Sequence, residues 1–293
     1  MNARVIDWVH LGYLSLAWGA AFMLIAVALE SFAPLTVVAL RMVLGALVLY
    51  AVMRLRGQRL LWERRWWGRF TVLALTGSLV PFWLIAWGET HIASSLAGIL
   101  MALMPISVLL LAHFALHNER ITPRRAAGFA LGLAGVVVLV GAEALASLGG
   151  PTLLAQLGIV LATFFYALNS IFSKRLPAID VSVVGAGTLI AGSLMIVPIA
   201  LIIERPWNVE PAFLPVLAVT ALGVFSTGFA YWVFFSVIAS RGPGFLSMIN
   251  YMIPVVAFAA GVLLLGEPAA LEKFIGLGAI LLGIFVSQTR WRV

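Results

Sequence analysis

Cysteine is absent from the 293 residues of this sequence, and charged residues make up only 10% of it. Without cysteine there can be no disulfide, no thiolate nucleophile and no thiolate metal site. The scarcity of charge accompanies 63% hydrophobic residues and a mean hydropathy of +1.12. A soluble fold is excluded, because no aqueous domain of this size could bury so much apolar surface. We therefore expect the protein to lie in a lipid bilayer.

Acidic side chains are missing from the interior of the hydrophobic runs. Their absence disfavours a cation/proton antiporter, in which one buried carboxylate binds a proton and a drug in turn. No compact set of His, Asp, Glu and Ser lies at one depth either, so we expect neither an enzyme nor a cofactor. His113 and His117 are spaced like zinc ligands, with Glu119 nearby, but no third ligand is clear and we predict no metal site. Glu89 and His91 could relay protons, but they fall in a predicted outer connection, where side chains are ordinarily solvated.

Ten apolar runs follow one another with short connections, and each is close to the roughly 20 residues that a membrane-spanning helix needs. They lie at about 8–29, 34–53, 70–88, 92–115, 124–142, 152–173, 181–203, 211–238, 243–265 and 270–289.

Basic residues mark the orientation of these spans. If the N-terminus lies inside and the spans alternate, 15 of the 18 Lys and Arg residues fall inside, while Arg205 and Lys273 fall outside and Arg41 lies within a span. By the positive-inside rule, both termini are then predicted to be cytoplasmic. We expect the protein to lie in the bacterial inner membrane. The same distribution explains the pI of about 10.5 without a nucleic-acid partner.

One segment of the chain occurs twice. Pro105 is followed 14 residues later by Glu119, and Pro254 is followed 13 residues later by Glu267. From each Glu, one Gly lies 9 residues further on and another 16. The offset of about 148 residues indicates a tandem duplication, with repeats at 1–146 and 147–293.

The duplication predicts an inverted arrangement. Each repeat contains five spans, an odd number, so the second must enter the membrane upside down relative to the first. The predicted fold is an all-α integral membrane protein of ten transmembrane helices, built as two inverted five-helix repeats. Such repeats are a recurring design of secondary transporters, although a channel can also be duplicated.

With these features, the chain resembles the EamA family of the drug/metabolite transporter superfamily. The resemblance rests on W-G-A-A-F at 18–22, on Arg41 in the second span, on A-L-M-P…N-E-R at 102–120 and on Y-M-I-P…G-E-P at 251–268. It covers the whole chain and is closest to bacterial YddG-type exporters of amino acids. The resemblance implies ten helices around a central cavity, with the fifth and tenth helices remote from the pathway.

Prolines interrupt the spans at corresponding positions. Pro105 and Pro254 lie inside the fourth and ninth spans, and Pro81 lies inside the third. A proline removes a backbone donor and frees a carbonyl, and paired interruptions of this kind point to a transporter site. We expect these prolines to break or gate the helices; ordinary kinks stabilised by neighbouring helices are the alternative.

One face of the ninth span carries polar side chains in a largely apolar run. Ser247, Asn250 and Tyr251, with Pro254 one turn further, occur at i, i+3, i+4 and i+7. Polar groups are costly in lipid unless they face a partner or water, so this face should line a substrate cavity. Met101 lies on the matching face of the fourth span, among small residues that would leave room for a ligand.

The sixth span repeats the polar pattern with Tyr166 and Asn169, and aromatic residues add possible apolar walls. We expect Trp18, Trp83 and Tyr231 to contact substrate, since a flat apolar ring with one polar tip suits an amphipathic solute. Hydrogen bonding between helices is the alternative for the polar residues, and contact with lipid is the alternative for the aromatic ones.

Arg41 is the one residue with a permanent charge inside a predicted span. An arginine at that depth indicates function by default, and it could bind a substrate carboxylate or anchor backbone carbonyls. The alternative is that its side chain snorkels towards the outer headgroups.

We therefore predict a secondary transporter that exports small metabolites, foremost amino acids, by alternating access through a central cavity. Its partners would be the substrate and membrane lipid, and a monomer is compatible with the sequence. Export of other metabolites or drugs, a lipid flippase and a channel-like facilitator remain alternatives. A nucleotide-sugar antiporter would need several cationic groups in the cavity, and one arginine is too few.

Overall fold

A computed structural model of the chain describes residues 3–115, 123–146, 150–173, 175–177, 179–246 and 248–288. Within these ranges the chain forms ten long helical segments, which we number α1 to α10, one short 3₁₀ turn at Pro206–Asn208, and no strand. The first five are α1 (Ala3–Leu29), α2 (Pro34–Leu55), α3 (Arg64–Ala74, continued by Leu75–Leu79 and Val80–Glu89), α4 (Ser94–Leu100, continued by Met101–Leu103 and Met104–Ala115) and α5 (Pro123–Ala146). The second five are α6 (Pro151–Ser173), α7 (Val181–Glu204), α8 (Phe213–Gly223, continued by Val224–Phe229 and Ala230–Leu246), α9 (Ile249–Leu264) and α10 (Leu271–Gln288).

The ten-helix membrane fold predicted from the hydrophobic runs is confirmed. In the described part of the chain, α1, α2, α3, α4, α6, α7 and α8 each contain a stretch long and apolar enough to cross a bilayer. Shorter apolar stretches, Ala126–Val138 and Ile249–Leu264, belong to α5 and α9.

The largest difference from a predicted helix boundary is at the end of the eighth span. We expected the eighth span to end near residue 238 and a connection to carry Arg241, but α8 continues to Leu246 and α9 begins at Ile249. Pro243 therefore lies inside a helix. A proline removes a single backbone donor, and a membrane helix can continue past it when neighbouring groups satisfy the freed carbonyl.

The two halves of the chain interleave. Helix α1 packs against α8 and α9, and its counterpart α6 packs against α3 and α4. Helix α2 pairs with α7, and α5 pairs with α10. Every major contact between the halves thus has an equivalent in which the halves exchange roles, as a two-fold axis between two repeats would produce.

Glycines allow α5 and α10 to pack closely. A Cβ atom added at Gly135 would lie 2.8 Å from the carbonyl oxygen of Gly276, and one at Gly283 would lie 2.6 Å from that of Gly128. Close backbone approach through small residues is the usual basis of helix association in lipid.

Carboxylates hold α2 and α7 together at both ends. At one end, Glu204 accepts hydrogen bonds from the backbone nitrogens of Leu35 and Thr36, at 2.9 and 2.7 Å, and from the Thr36 hydroxyl, at 2.7 Å. Glu204 lies at the end of α7, yet it satisfies free donors at the start of α2.

Asp180 and Arg56 join the opposite ends of the same two helices. Asp180 accepts hydrogen bonds from the nitrogen and hydroxyl of Ser182, at 2.8 and 2.6 Å, and lies 3.5 Å from Arg56. Partial burial alone would raise the pKa of Asp180, but the bonds from Ser182 and the charge of Arg56 outweigh it, so the pKa lies below its usual value.

We predict that Glu204→Ala destabilises the α2–α7 pair, because it removes all three hydrogen bonds at the start of α2. The loss should be about 1–2 kcal/mol, typical of a removed helix cap. Thermal unfolding in detergent, followed by tryptophan fluorescence, measures the change. Glu210→Ala, at an exposed position on the same side, is the matched control and should leave the unfolding midpoint unchanged. Equal midpoints for the two variants would contradict the role of Glu204.

Candidate functional site

Two wide helical turns occupy equivalent positions in the two halves. Helix α3 opens into a π-helix at Leu75–Leu79, and α8 does so at Val224–Phe229, 149 residues later. Such turns are rare and occur frequently at functional sites. Both contain buried hydroxyls, Ser78 in the first and Thr227 in the second. Our sequence analysis missed these turns; the pattern that the two halves share there is T-G-S at 76–78 and S-T-G at 226–228.

Side chains from the opposite half hold the wide turn of α8. The Tyr13 hydroxyl of α1 donates to the carbonyl oxygen of Phe225 at 2.8 Å, and the Trp18 indole nitrogen donates to that of Ser226 at 3.0 Å. Trp18, which we predicted to contact substrate, thus uses its only donor within the protein.

The wide turn of α3 is held in the same way by α6. The Asn169 amide donates to the carbonyl oxygen of Leu73 and to the Thr76 hydroxyl, both at 3.1 Å. From α8, the Tyr231 hydroxyl donates to the carbonyl oxygen of Gly77 at 3.4 Å. Two predicted site residues, Asn169 and Tyr231, are therefore brought together at this turn.

Arg41 points into the bundle, so the structure favours an inward-facing arginine over the snorkelling alternative. Arg41 is only 6% exposed, and its Nε donates to the Thr227 hydroxyl at 2.8 Å. The guanidinium carbon lies 3.6 Å from the centre of the Phe82 ring. Tyr166 and Tyr231 are close enough to interact with the charge of Arg41. We call these five residues the Arg41 cluster.

Part of the Arg41 guanidinium makes no hydrogen bond within the cluster. The Thr227 hydroxyl itself donates to the carbonyl oxygen of Leu222 at 3.0 Å, which fixes it as an acceptor for Arg41. The two terminal nitrogens of Arg41 bind no acceptor among the described residues. The cluster thus presents a positioned cation with two free donor nitrogens, at a point where α2, α3, α6 and α8 meet.

One of the paired prolines, Pro105, lines a cavity between α4 and α9. This cavity of about 200 Å³ is lined by Met104, Pro105, Val108, Leu109 and Asn250. Pro105 and Asn250, predicted as site residues from different repeats, therefore line one cavity. Helix α4 tightens to a 3₁₀ turn at Met101–Leu103 just before Pro105, as expected for a helix disturbed by proline.

The remaining predicted site residues are more scattered. Met101 and Tyr251 are half-buried, and Pro81 and Pro254 are buried inside their helices. Trp83 is 37% exposed and stacks on Trp87, with ring centres 6.2 Å apart.

Other predicted positions fall outside the described residues. They are Ser247, His117 and Glu119. Within the residues that the structure describes, no group of three His, Asp or Glu side chains is placed to hold a metal ion.

A polar clasp closes the other end of the α4–α9 crossing. Glu267, in the connection between α9 and α10, accepts hydrogen bonds from the nitrogen and hydroxyl of Ser94, at 2.8 and 2.7 Å, and from the nitrogen of Ser95, at 3.0 Å. Lys273 donates to the Ser95 hydroxyl at 2.9 Å and lies 4.0 Å from Glu267. We call these four residues the outer clasp, since our orientation places them on the outer side.

The hydrogen bonds of the clasp favour an ionised Glu267. Burial alone would raise the pKa of Glu267, but the bonds donated by Ser95 and Ser94 prevail, so the pKa lies below its usual value. The crossing is thus held by a charged clasp at one end and lines a cavity at the other.

Comparison with known proteins identifies related sequences and folds. The model of the EamA-like transporter family matches residues 9–141 and again residues 153–289. An uncharacterized transporter of Archaeoglobus fulgidus is 30% identical to this chain, covering 95% of the chain and 97% of that protein. An S-adenosylmethionine/S-adenosylhomocysteine transporter of Chlamydia trachomatis is 28% identical, covering 91% and 84%. A solved crystal structure, 23% identical, superimposes with a TM-score of 0.70 over 96% of this chain and 97% of its own, which shows the shared fold.

We predict that the clasp weakens in acid. Because its pKa is lowered in the folded protein, Glu267 contributes stability that is present above about pH 4.5 and is lost as the pH falls through the folded pKa. Glu267→Gln should therefore unfold at a lower temperature than the wild type at neutral pH, and the gap should shrink as the pH falls to about 3. Thermal scans over this pH range test the prediction. Glu272→Gln, an exposed neighbour, is the control, and a gap that stays constant with pH would contradict the role of Glu267.

Proposed function

The chain belongs to the EamA-like transporter family, within the drug/metabolite transporter superfamily, and from this premise we propose that it exports amino acids by alternating access. It is a transporter and not an enzyme, it acts on a small molecule, and it is a multi-pass inner-membrane protein. The observation that carries the amino-acid proposal is the buried Arg41 with its two free terminal nitrogens.

Arg41 is arranged as a receptor for one carboxylate. Thr227 holds one edge of its guanidinium and Phe82 covers a face, so the terminal nitrogens form a fork of fixed direction. Such a fork matches a carboxylate through two parallel hydrogen bonds. A charge in the membrane interior is costly unless it is paired, and a bound carboxylate would supply the missing partner. One cation also suits a monoanionic group better than a diphosphate.

The surroundings of Arg41 fit the rest of an amino acid. Tyr166 and Tyr231 combine an apolar ring with a hydroxyl, which suits a solute with a polar end and a variable side chain. A relative is named as a transporter of S-adenosylmethionine and S-adenosylhomocysteine, and both of these solutes carry an α-amino carboxylate. This shared group supports our proposal that the present chain also recognises the ammonium and carboxylate groups of an amino acid.

The α4–α9 crossing supports outward transport. The outer clasp joins the two helices on the predicted outer side, whereas the cavity at Pro105 and Asn250 lies towards the predicted cytoplasmic side. A solute would enter through this cavity and leave on the outer side after the clasp between α4 and α9 releases. The resemblance of the motifs to amino-acid exporters sets the direction that we propose.

Replacement of Arg41 by Gln should weaken binding of amino acids about 10–100-fold, since hydrogen bonds to a charged group contribute about 1.5–3 kcal/mol. Binding to the purified protein in detergent is measured for an amino acid and for its amide, which lacks the carboxylate charge. Wild-type protein should prefer the acid, and Arg41→Gln should lose that preference.

Two further variants control for this result. Thr227→Val keeps the positive charge but removes the bond that fixes it, so its loss of affinity should be smaller. Arg41→Lys keeps the charge without the fork and should be intermediate. If the Arg41→Gln protein is folded and still prefers acid to amide, Arg41 does not bind the carboxylate.

Asn250→Ala should raise the KM for efflux of a radiolabelled amino acid from proteoliposomes, with little change in kcat. The expected rise is about fivefold, because one neutral hydrogen bond contributes about 1 kcal/mol. Asn208→Ala, in an exposed turn between α7 and α8, is the matched control. An unchanged KM for Asn250→Ala would remove the cavity beside Pro105 from the substrate pathway.

A further inference from the structure

Glu89, the last residue of α3, has a buried carboxylate that the rest of the structure leaves unsatisfied. Both of its carboxylate oxygens are inaccessible to solvent and have no hydrogen-bond partner among the described residues. Our sequence analysis expected a solvated side chain in an outer connection, and that expectation was wrong. The helix continues to Glu89, and its carboxylate oxygens are buried within the protein. An ionised carboxylate in such a position is strongly disfavoured unless a proton or a cationic group binds to it.

Two charged residues act on Glu89 from different elements. Arg41 of α2, on the inner side, and Glu267 of the α9–α10 connection, on the outer side, are both close enough to interact with its charge. Lys273 of α10 is engaged with Glu267 and Ser95. Glu89 is thus influenced by one charge of the Arg41 cluster and by one charge of the outer clasp.

The other neighbouring groups do not neutralise Glu89. His91 is turned back towards its own chain, with Nδ1 at 2.8 Å from the Thr90 hydroxyl and 3.2 Å from the carbonyl oxygen of Trp87. Glu30, which follows α1, is exposed. Helix α6 presents Gln156, whose amide oxygen is also buried without a partner among the described residues. Among the described residues, this end of the bundle therefore holds two buried side chains, Glu89 and Gln156, with unsatisfied acceptor oxygens.

We propose that Glu89 is the coupling residue of the transporter, where a proton and the ammonium group of the substrate compete for one carboxylate. The inference rests on the proposed function, because it takes the substrate to be an amino acid. An amino acid carries one group of each charge, and Arg41 and Glu89 provide the complementary pair. While Arg41 holds the carboxylate of the substrate, Glu89 accepts a hydrogen bond from its ammonium group.

Because substrate and proton compete for Glu89, they cross the membrane in opposite directions. Substrate leaves to the outer side while Glu89 is ionised, and a proton then binds there and is carried inward. Each cycle exports one neutral zwitterion and imports one proton, so one positive charge moves inward. A pH gradient that is acid outside, and a membrane potential that is negative inside, should both drive export.

The first experiment tests proton binding without substrate. Infrared difference spectra of the purified protein between alkaline and neutral pH should contain a carboxylic-acid C=O band that Glu89→Gln abolishes. His91→Gln and Glu30→Gln are the matched controls and should keep the band. If Glu89→Gln retains the full set of carboxylic-acid bands, Glu89 does not take up a proton and the proposal is overturned.

The second experiment tests coupling in proteoliposomes with a radiolabelled amino acid. With one proton exchanged per substrate, each unit of pH difference should support about a tenfold concentration gradient of the wild-type substrate. Glu89→Gln should build no gradient, whereas Glu89→Asp should restore part of it and Glu30→Gln should match the wild type. A Glu89→Gln protein that accumulates substrate as the wild type does would overturn the proposal.

The two experiments separate the proposal from the proposed function. If the wild-type protein moves no amino acid in either direction, the substrate assignment fails, and with it the competition between ammonium and proton. The infrared result still decides whether Glu89 binds a proton. A wild-type protein that exchanges amino acids but builds no gradient from a pH difference would retain the proposed function and overturn the coupling.

Discussion

Inside a bilayer every backbone group that leaves the regular helical pattern must find a hydrogen-bond partner within the protein, because the hydrocarbon offers none. The two wide turns of this bundle meet that requirement by using side chains from the other half. Trp18 of α1 satisfies the turn in α8, and Asn169 of α6 satisfies the turn in α3. The irregular backbone near the centre of each repeat is therefore stabilised only when both repeats are assembled.

The same constraint organises the charges. Arg41 and Glu89 form an inner pair of charges, and Glu267 and Lys273, 4.0 Å apart, form an outer pair. Glu89 is influenced by the charges of both Arg41 and Glu267. The outermost pair is satisfied by serine hydroxyls and backbone nitrogens, whereas the inner pair is left with unused hydrogen-bonding capacity. Satisfied charges hold helices together, and unsatisfied ones are available to a substrate or a proton. This division separates the structural end of the bundle from its candidate chemical centre.

Sequence reasoning predicted what depends on local pattern. The hydrophobic runs gave the ten helices with boundaries near those observed, and the duplicated Pro-to-Glu segments indicated the repeats that the contacts between halves reflect. The same reasoning placed Pro105 and Asn250 on matching faces, and both line one cavity.

Features that depend on long-range packing could not be predicted in this way. The direction of Arg41 was open, because it depends on Thr227, 186 residues away. Glu89 was expected to be solvated, because no pattern along α3 shows that other helices cover its carboxylate. The π-helical turns were missed for a related reason, since Ser, Thr and Gly within a span are equally compatible with close packing of regular helices.

Counterflow in proteoliposomes tests most directly whether this bundle is an alternating-access carrier of amino acids. Vesicles loaded with an unlabelled amino acid are placed in a trace of the same compound in labelled form, without a pH gradient. Our account predicts that the label accumulates transiently inside above its outside concentration, because a carrier returns loaded more often than empty. Simple equilibration of the label would indicate a channel, and no movement of any amino acid by the folded protein would contradict the substrate assignment.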